Sequence, residues 1–346
     1  MRRLSFSRPI ICSFLALGLL PAAGWAQGSI DGTVTFWGDP GGGTQIEIAA
    51  HSDPFGPPEV SVFVSIPGGS YSIPVPDGTY YIAAFMARDG VFGEPRPEDV
   101  LAWYDADADG DQDTVTISGG AVSGADIDLG FIYVDIDAVG ANNGSSWPDA
   151  FTDLQDGIDL AVSGIDVWVA EGTYVPGANR SDSFFPKPGV RVSGGFAGTE
   201  TVRLERDWNA HPTILSGEIG APGASDNCYH VVNAGGANPT AVFDGFTITL
   251  GNADGGGDYH SGGGITAFNG GISIANSIIT YNSAGLYGGG IAINATGSVF
   301  VANSSFVNNV SAWHGGGTVS YTHLRAHETR AFISYAVFCL KRGGGG

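Results

Sequence analysis

The chain has few basic residues and little hydrophobic sequence that could enter a membrane. Its 346 residues include 14 Lys and Arg against 35 Asp and Glu, which gives a net charge of −21. A chain this acidic is repelled by the phosphates of nucleic acid and by anionic lipid headgroups. The composition therefore excludes a nucleic-acid partner and favours Ca²⁺, a cationic surface or simple solubility outside the cell.

The longest apolar run lies near the N-terminus and is too short to cross a bilayer. Three arginines precede this run, Ile10–Leu20, and small residues lead to Ala26. A transmembrane helix needs about 20 apolar residues. The pattern is typical of a secretory signal peptide over residues 1–26, with cleavage after Ala26. We therefore expect a secreted protein, extracellular or at the outer cell surface, without a transmembrane span.

Residues 319–346 resemble a translated sequencing adapter. The stretch from Val319 to Thr329 back-translates codon by codon into a widely used transposase adapter, and residues 333–340 resemble its flow-cell end. The last residues, Lys341-Arg342 and a glycine run, correspond to an A run passing into a G run. An engineered scar is left out of fold reasoning. We expect residues after Thr318 to lack regular structure or to add a strand to an open end.

Leaving out both end segments changes the cysteine and charge counts. Cys12 and Cys339 fall in these segments, so Cys228 remains alone and no intramolecular disulfide is possible. Seven Lys and Arg then face 34 Asp and Glu, a net charge of −27. Stability must come from a buried core. The remaining sequence, rich in Gly and β-branched residues, predicts two β-rich domains.

The first unit, residues 28–130, shows the alternation of short strands. Alternating apolar residues run from Tyr71 to Val75, Pro76-Asp77-Gly78 forms a turn, and the alternation resumes at Tyr80. Two alternating runs around a turn predict a β-hairpin with one buried face. Short strands separated by turns predict a small antiparallel β-sandwich. Further strands are expected at residues 30–37, 60–66, 113–118 and 125–129.

This unit resembles the carboxypeptidase-regulatory or transthyretin-like family of secreted accessory sandwiches. The resemblance is carried by Gly-x-Tyr-x-Ile-x-Val-Pro-Asp-Gly-Thr-Tyr over residues 69–80 and covers about one hundred residues. It implies a spacer or recognition module rather than a catalyst.

The second unit, residues 132–318, ends in a repeat. Gly-Gly-Gly triplets begin at Gly262, Gly288 and Gly315, at a nearly constant interval, and the Asn-Ser pair at Asn276 recurs after the same interval at Asn303. A repeat of this kind, with short β runs and Gly or Asn turns, is typical of a solenoid. One coil cannot bury its inward apolar residues alone. Coils must therefore stack, and equivalent Asn side chains can hydrogen-bond from coil to coil.

This half resembles right-handed parallel β-helix proteins of the pectin-lyase-like fold, particularly secreted ones with repeats like polymorphic outer-membrane proteins. The resemblance is carried by Val-Trp-Val-Ala-Glu-Gly-Thr-Tyr over residues 167–174, and by residues 145–147, 194–201, 289–291 and 306–309. It implies that a helix predicted over Pro148–Val162 caps the open end of the first coil. The expected fold class is all-β: a small antiparallel β-sandwich, then a C-terminally truncated right-handed parallel β-helix with an N-terminal capping helix.

A run of alternating aspartates is the best-defined candidate for chemistry. Carboxylates at positions 1, 3 and 5 with Gly110 at position 6 match the start of a calcium loop, because Ca²⁺ takes six to eight oxygen ligands. Position 12 is Thr116 instead of a bidentate Glu, so the loop is incomplete unless Asp111 or Asp113 compensates. The alternative is an acidic solvated turn. The candidate metal ligands are Asp105, Asp107, Asp109, Asp111 and Asp113.

A second candidate set falls on the presumed coils. Carboxylates with a His partner can act as acid and base, or can hold calcium against a sugar acid. The spacing here is irregular, and the sequence lacks the paired-Asp, Gly-His-Gly and Arg-x-Lys patterns of pectin-cleaving enzymes. The alternative is a set of loop residues at coil corners. The set consists of Asp254, Asp258, His260 and His314.

Other polar and aromatic residues have structural interpretations. Arg203, Arg206 and Asp207 are expected to form an ion pair within a loop. Trp168 is expected to pack in the core or under the cap, and Cys228 is expected to be a small buried hydrophobe.

The sequence therefore favours an adhesin-like or structural cell-surface protein without catalytic activity. The long face of a solenoid would contact extracellular polysaccharide or a cell-surface ligand. The alternative is a polysaccharide lyase, a glycoside hydrolase or a carbohydrate-binding module, because the fold alone does not separate these activities. Three or more converging charged residues in a groove would favour the enzyme, and a bare Asn, Gly and Thr surface would favour adhesion. We expect a monomer, with Ca²⁺ as the candidate cofactor.

Overall fold

The computed structural model describes residues 28–320, apart from 39, 42, 89, 91, 93–98 and 295. The described part is mostly β, with an N-terminal two-sheet sandwich followed by stacked parallel sheets and one short α-helix. The predicted fold class, a β-sandwich followed by a parallel β-helix, is therefore confirmed. The predicted signal peptide and residues 321–346 of the adapter-like tail lie outside the described residues.

The sandwich consists of two sheets around one apolar core. One sheet has the order β3-β2-β5-β6, with β7 also paired to β5, and all of its pairings are antiparallel. In the other sheet β1 pairs antiparallel with β4 but parallel with β8 and β9. The strands are β1 (Gly28–Trp37), β2 (Gln45–His51), β3 (Val60–Ser65), β4 (Gly68–Val75), β5 (Gly78–Met86), β6 (Val100–Trp103), β7 (Thr114–Ile117), β8 (Val122–Ser123) and β9 (Ile127–Val134).

The hairpin predicted around Pro76-Asp77-Gly78 is wrong. Both strands form where expected, but β4 pairs with β1, whereas β5 pairs with β2, β6 and β7. The chain crosses here from one sheet to the other, so that Ile73 and Ile82 are buried in the same core from opposite sides. An alternating pattern fixes which face of a strand is buried, but it does not specify the partner strand.

Strand β9 belongs to both halves of the molecule. Its first residues, Ile127–Gly130, pair with β1 of the sandwich, and Gly130–Val134 pair with the first β-helix strand, β10 (Ile165–Ala170). All of these pairings are parallel. The boundary that the sequence suggested between residues 130 and 132 therefore falls within one continuous strand.

The single described α-helix, α1 (Leu154–Leu160), packs against β9 and β10. It begins later than the predicted helix, whose first turn was expected at Pro148. The N-cap is Asp153, whose side chain accepts from the Gln155 amide at 2.7 Å. Leu154 and Ile158 join the interior core of the β-helix. The helix thus covers the apolar interior beside the first coil, as a capping element does.

The β-helix is built from four parallel sheets whose strands recur once per coil. Interior residues of all coils form one continuous apolar core. The sheets have the orders β9-β10-β12-β15-β19-β23, β11-β13-β16-β20-β24, β14-β18-β22-β26 and β17-β21-β25. The strands after β10 are β11 (Gly172–Tyr174), β12 (Arg191–Phe196), β13 (Thr213–Ser216), β14 (Val232–Asn233), β15 (Val242–Asp244), β16 (Phe246–Thr249), β17 (Asn252–Ala253), β18 (Ile265–Ala267), β19 (Gly271–Ala275), β20 (Ile278–Thr280), β21 (Ser283–Ala284), β22 (Ile291–Ile293), β23 (Ser298–Ala302), β24 (Ser305–Val307), β25 (Val310–Ser311) and β26 (Thr318–Ser320).

The repeat in the sequence corresponds to the coils. Ile265 pairs with Ile291, and Ile291 pairs in turn with Thr318, so the strand register advances by one sequence repeat per coil. Gly262, Gly288 and Gly315 all have positive φ, between 56° and 78°, at equivalent corners. Glycine adopts this conformation without the strain that a Cβ introduces.

The last described strand reaches the adapter-like segment. Strand β26 begins at Thr318 and continues through Val319 and Ser320, which pair with Ala292 and Ile293 of β22. Residues 321–346 lie outside the described residues, so the adapter interpretation of the tail stays a prediction.

Candidate functional site

The aspartate loop brings three of its five carboxylates together. Carboxylate oxygens of Asp105, Asp107 and Asp109 all lie within 4.8 Å of one another. The Gly110 amide donates to Asp105 Oδ2 at 2.8 Å, and the Asp109 amide donates to Asp105 Oδ1 at 3.2 Å. These bonds fold the loop so that acidic groups face a common centre. A carboxylate oxygen has a second lone pair, so the same atoms can also ligate a cation.

The remaining two aspartates of the loop have other roles. Asp113 Oδ2 accepts from the Ala106 amide at 2.8 Å and closes the base of the loop. Asp111 lines a cleft between the loop and the β-helix. A cation at the triad would therefore take its remaining oxygens from water or from backbone carbonyls.

The charges within the loop repel one another. A hydrogen bond from the Asp109 amide lowers the pKa of the Asp107 carboxyl, but desolvation and the charges of Asp109, Asp113 and Asp105 together raise this pKa above its ordinary value. Bringing like charges together costs free energy, and a divalent cation would remove that cost. The donor chemistry of the triad is thus compatible with Ca²⁺.

The aspartate loop also touches the β-helix. The Asp109 carbonyl accepts hydrogen bonds from Asn238 Nδ2 at 2.5 Å and from Thr240 Oγ1 at 2.8 Å. Gly110 permits this approach, because a Cβ at this position would lie 2.1 Å from Thr240 Oγ1 and 2.5 Å from the Gly189 amide nitrogen. The loop therefore joins the sandwich to the coils whether or not it holds an ion.

In the second predicted set, on the coils, Asp254, Asp258 and His260 belong to one loop, whereas His314 lies apart from them. Asp254 forms an ion pair with Arg180 at 2.5 Å, and His260 Nδ1 lies 3.0 Å from its neighbour Ser261 Oγ. His314 stacks on Tyr287, and bridges join Ser261 to Tyr287 and Tyr287 to His314. His314 is thus two coils from Ser261, or about 10 Å at the usual strand spacing.

A charged cluster that the sequence did not predict lies on the outer face of the sheet that contains β10, β12 and β15. We call it the arginine cluster. Val167, Val192 and Phe243 point into the β-helix core, so the alternate residues of these strands point outward. The connection after β12 covers this face and contributes two arginines. The cluster consists of Asp166, Arg191, Arg203, Arg206 and Asp244.

Arg206 holds the connection to the sheet. Its NH2 group lies 2.7 Å from Asp244 Oδ2, and its NH1 group donates to the carbonyls of Gly194 and Asp244 at 3.0 Å each. Asn276 Nδ2 donates to the other Asp244 oxygen at 2.7 Å. Both oxygens of Asp244 are therefore occupied by hydrogen bonds, and the carboxylate is nearly buried.

Arg191 and Arg203 are held more loosely. Arg191 NH1 lies 3.7 Å from Asp244 Oδ2, and Arg203 Nε lies 3.7 Å from Asp166 Oδ2. Ser193 Oγ donates to Asp166 Oδ1 at 2.9 Å. Burial raises the pKa of Asp166, although Arg203 and Arg191 oppose that rise. Desolvation lowers the pKa of Arg191, and Asp166 opposes that change.

The expected ion pair of Arg203 and Arg206 with Asp207 is wrong. The Asp207 carboxylate instead accepts from the amides of Asn209 and Ala210, which lowers the pKa of Asp207. The true partners, Asp166 and Asp244, lie on β10 and β15, far from these arginines in the sequence. The sequence did contain one indication of the cluster, because each of these β runs has a polar or charged residue at an outward position.

A shallow cleft of about 440 Å³ lies further along the same outer face, where the aspartate loop meets the coils. Ser273 and Phe300 face each other across β19 and β23, and Phe300 is 57% exposed. An exposed aromatic ring beside hydroxyl and amide groups can stack on a sugar while those groups donate and accept. The cleft is lined by Asp111, Asn238, Pro239, Thr240, Ser273 and Phe300.

No helix among the described residues is long and apolar enough to span a bilayer. No protein-family model, no curated protein and no solved structure matches the chain.

Proposed function

We propose that this chain is a secreted or cell-surface, adhesin-like β-helix protein that binds an extracellular polysaccharide or cell-surface ligand without catalysing a reaction. The observation that carries the proposal is that, among the candidate acid and base groups, Asp254 already has a cationic partner and His314 is set apart from the others. Asp254 is neutralised by Arg180, and His314 lies two coils from Ser261 and its neighbour His260. Glycoside hydrolysis requires two carboxyl groups about 5 to 10 Å apart with a free position between them.

The contact surface in this proposal is the outer face near the cleft. Phe300 offers a ring for stacking, and Ser273, Asn238 and Thr240 surround it with polar groups. The sheet continues from coil to coil at one strand spacing, so an extended chain can meet equivalent positions in turn. This arrangement supports binding of an extended chain.

The alternative is a polysaccharide lyase or hydrolase centred on the arginine cluster, where two carboxylates and three guanidiniums converge. The hydrogen bonding of the carboxylates favours binding over catalysis. Asp244 has both oxygens bonded to Arg206 and Asn276, and Asp166 is bonded to Ser193. A general acid or base must reach the proton it moves, and both Asp244 oxygens are already bonded, whereas Asp166 Oδ2 has only its 3.7 Å ion pair with Arg203.

Two further features complete the proposal. The resemblance of the sandwich to carboxypeptidase-regulatory-like domains supports a spacer or recognition role, and the resemblance of the coils to polymorphic outer-membrane-protein repeats supports a surface location. The triad of Asp105, Asp107 and Asp109 is proposed to hold Ca²⁺, which would stabilise the loop that contacts Asn238 and Thr240.

The test combines binding with product analysis. The chain is incubated with insoluble neutral, uronate-containing and sulfated polysaccharides, and both retention of the protein and release of reducing ends are measured. We expect retention on at least one polysaccharide without products, and weaker retention of Phe300→Ala. The matched control is Phe55→Ala, which removes a 70% exposed ring from the sandwich. Product release abolished by Asp166→Asn would instead establish the enzyme, and absence of retention on every polysaccharide would reject glycan binding.

A further inference from the structure

The arginine cluster holds more hydrogen-bond donors than its carboxylates accept. Arg206 donates to the Asp244 carboxylate and to the carbonyls of Gly194 and Asp244. Arg191 and Arg203 make only 3.7 Å ion pairs, which are too long for hydrogen bonds, and neither guanidinium donates to another described residue within bonding distance. Their side chains remain 41% and 31% exposed. Both side chains therefore reach solvent in part, although the surroundings of Arg191 also desolvate its charge.

The charge balance of the cluster favours an added anion. Three guanidiniums face two carboxylates, in a chain that has only seven Lys and Arg between residues 27 and 318. Asp166 lies opposite Arg191 in the strand register, and Arg203 reaches the same carboxylate from the covering connection. The guanidiniums of Arg203 and Arg206 both repel that of Arg191. An oxyanion between Arg191 and Arg203 would relieve this repulsion.

Fastening the connection to the sheet does not account for all three arginines. Among the three arginines only Arg206 donates hydrogen bonds to the sheet, and the Asp207 amide adds a backbone bond to the Gly195 carbonyl. Arg191 and Arg203 add like charge without adding a hydrogen bond. A guanidinium is suited to planar, bidentate contact with a carboxylate, sulfate or phosphate group.

We propose that Arg191 and Arg203 form a binding site for a single small oxyanion on the outer face of the sheet, with Arg206 as a positioning residue. The oxyanion is a carboxylate, sulfate or phosphate group, either free or carried by a larger molecule. This site shares no lining residue with the cleft around Phe300, and the proposal does not depend on the binding of polysaccharide there.

The test is calorimetric titration of the chain with sodium sulfate, sodium phosphate and sodium glucuronate at constant ionic strength. We expect saturable binding of at least one of these anions at one site per chain, with a Kd of about 1 mM or below. Arg203→Gln is expected to weaken binding at least about tenfold, and Arg203→Lys less, because charge remains but the fork is lost. Arg191→Gln should match Arg203→Gln.

The matched control is Lys187→Gln, which removes one positive charge from beside α1, where Lys187 Nζ donates to the Asp159 and Ala161 carbonyls. It should leave anion binding unchanged. Arg203 makes no hydrogen bond through its guanidinium to a described residue, so its variants are expected to fold, and a circular dichroism spectrum verifies this. Uptake that never saturates, or binding that is equal in the arginine variants and the unmodified chain, would overturn the proposal. Sulfated and uronate-containing oligosaccharides, titrated alongside their neutral counterparts, then distinguish a carried anion from a free one.

Discussion

The side-chain oxygen of Asn309 accepts two hydrogen bonds from Asn282, one coil below, from its backbone amide and its side-chain amide at 3.0 Å each. The Asn282 oxygen in turn accepts from the Gly251 amide at 2.9 Å in the preceding coil. Asn282 is completely buried, so this ladder satisfies backbone groups that water cannot reach. It ties three consecutive coils together at one corner.

Asn282→Ala should therefore destabilise the β-helix. The substitution leaves the Gly251 amide and the Ile248 carbonyl without their side-chain partners, at a cost of about 1–3 kcal/mol for each buried unsatisfied group. The free energy of unfolding is measured by denaturant titration. Asn294→Ala, in the solvent-exposed ladder with Asn269, is the control and should cost about 1 kcal/mol or less. Equal losses in the two variants would show that burial of the ladder is not what matters.

Calcium should raise the thermal stability of the chain. A ligand that binds only the folded state stabilises it by about 2.7 kcal/mol at one hundred times its Kd. We expect a higher melting temperature in CaCl₂ than in chelator, and no difference for the double variant Asp105→Asn, Asp109→Asn. Asp137→Asn removes an exposed carboxylate outside the loop and should keep the response. A calcium shift that survives in the double variant would place the ion elsewhere.

Trp168→Ala should destabilise the sandwich and the coils together. The ring stacks on Phe196 at 4.8 Å between centroids and lies 4.2 Å from the Phe131 ring, within the core that the sandwich shares with the outer face of the first coils. Truncation of a buried Trp costs about 3–5 kcal/mol. Calorimetry should show one transition, moved to lower temperature. Trp313→Ala removes a 67% exposed ring and should change stability by no more than about 0.5 kcal/mol.

Stability should fall as the solution becomes mildly acidic. Burial lowers the pKa of His230 below the ordinary value of 6.5, while the hydrogen bond to the Gly262 carbonyl opposes that shift. The folded chain then binds fewer protons than the unfolded chain, so the stabilisation present above pH 6.5 is lost as the pH drops toward the folded-state pKa.

The variant His230→Gln isolates this contribution. Well above the ordinary pKa its free energy of unfolding should differ from that of the unmodified chain by a constant amount. As the pH falls below 6.5 the advantage of the unmodified chain should shrink, because only the unmodified chain must protonate a buried imidazole. A constant difference over the whole range would assign the acid sensitivity to other groups.

The later coils could be predicted from the sequence because their period is nearly constant. Gly262, Gly288 and Gly315 recur at almost the same interval, and the register between coils follows that spacing. The earlier coils contain long connections, so that Arg191 pairs with Val242 across a much longer stretch of chain. Such insertions interrupt the constant period of the sequence. The outward residues that lie side by side on these strands could therefore not be predicted.

The sequence was least informative about long-range partners. Strand positions such as β10 followed from β-branched runs, but the partners of β4 and β5 depended on the chain crossing between sheets. The arginine cluster could not be predicted for the same reason. Arg206 contacts Asp244 only because the connection after β12 folds back over the sheet. The identities of the side chains do not specify that course of the chain.

Strand β9 also determines how the molecule transmits force. Its two halves join the sandwich and the first coil in one hydrogen-bonded ladder, which continues to β23. Tension applied between the sandwich and the later coils acts along these inter-strand bonds, because they run across the strands. A flexible tether between two bodies would yield first, but here the ladder itself bears the load. A protein built in this way holds its distal coils at a fixed orientation to the sandwich.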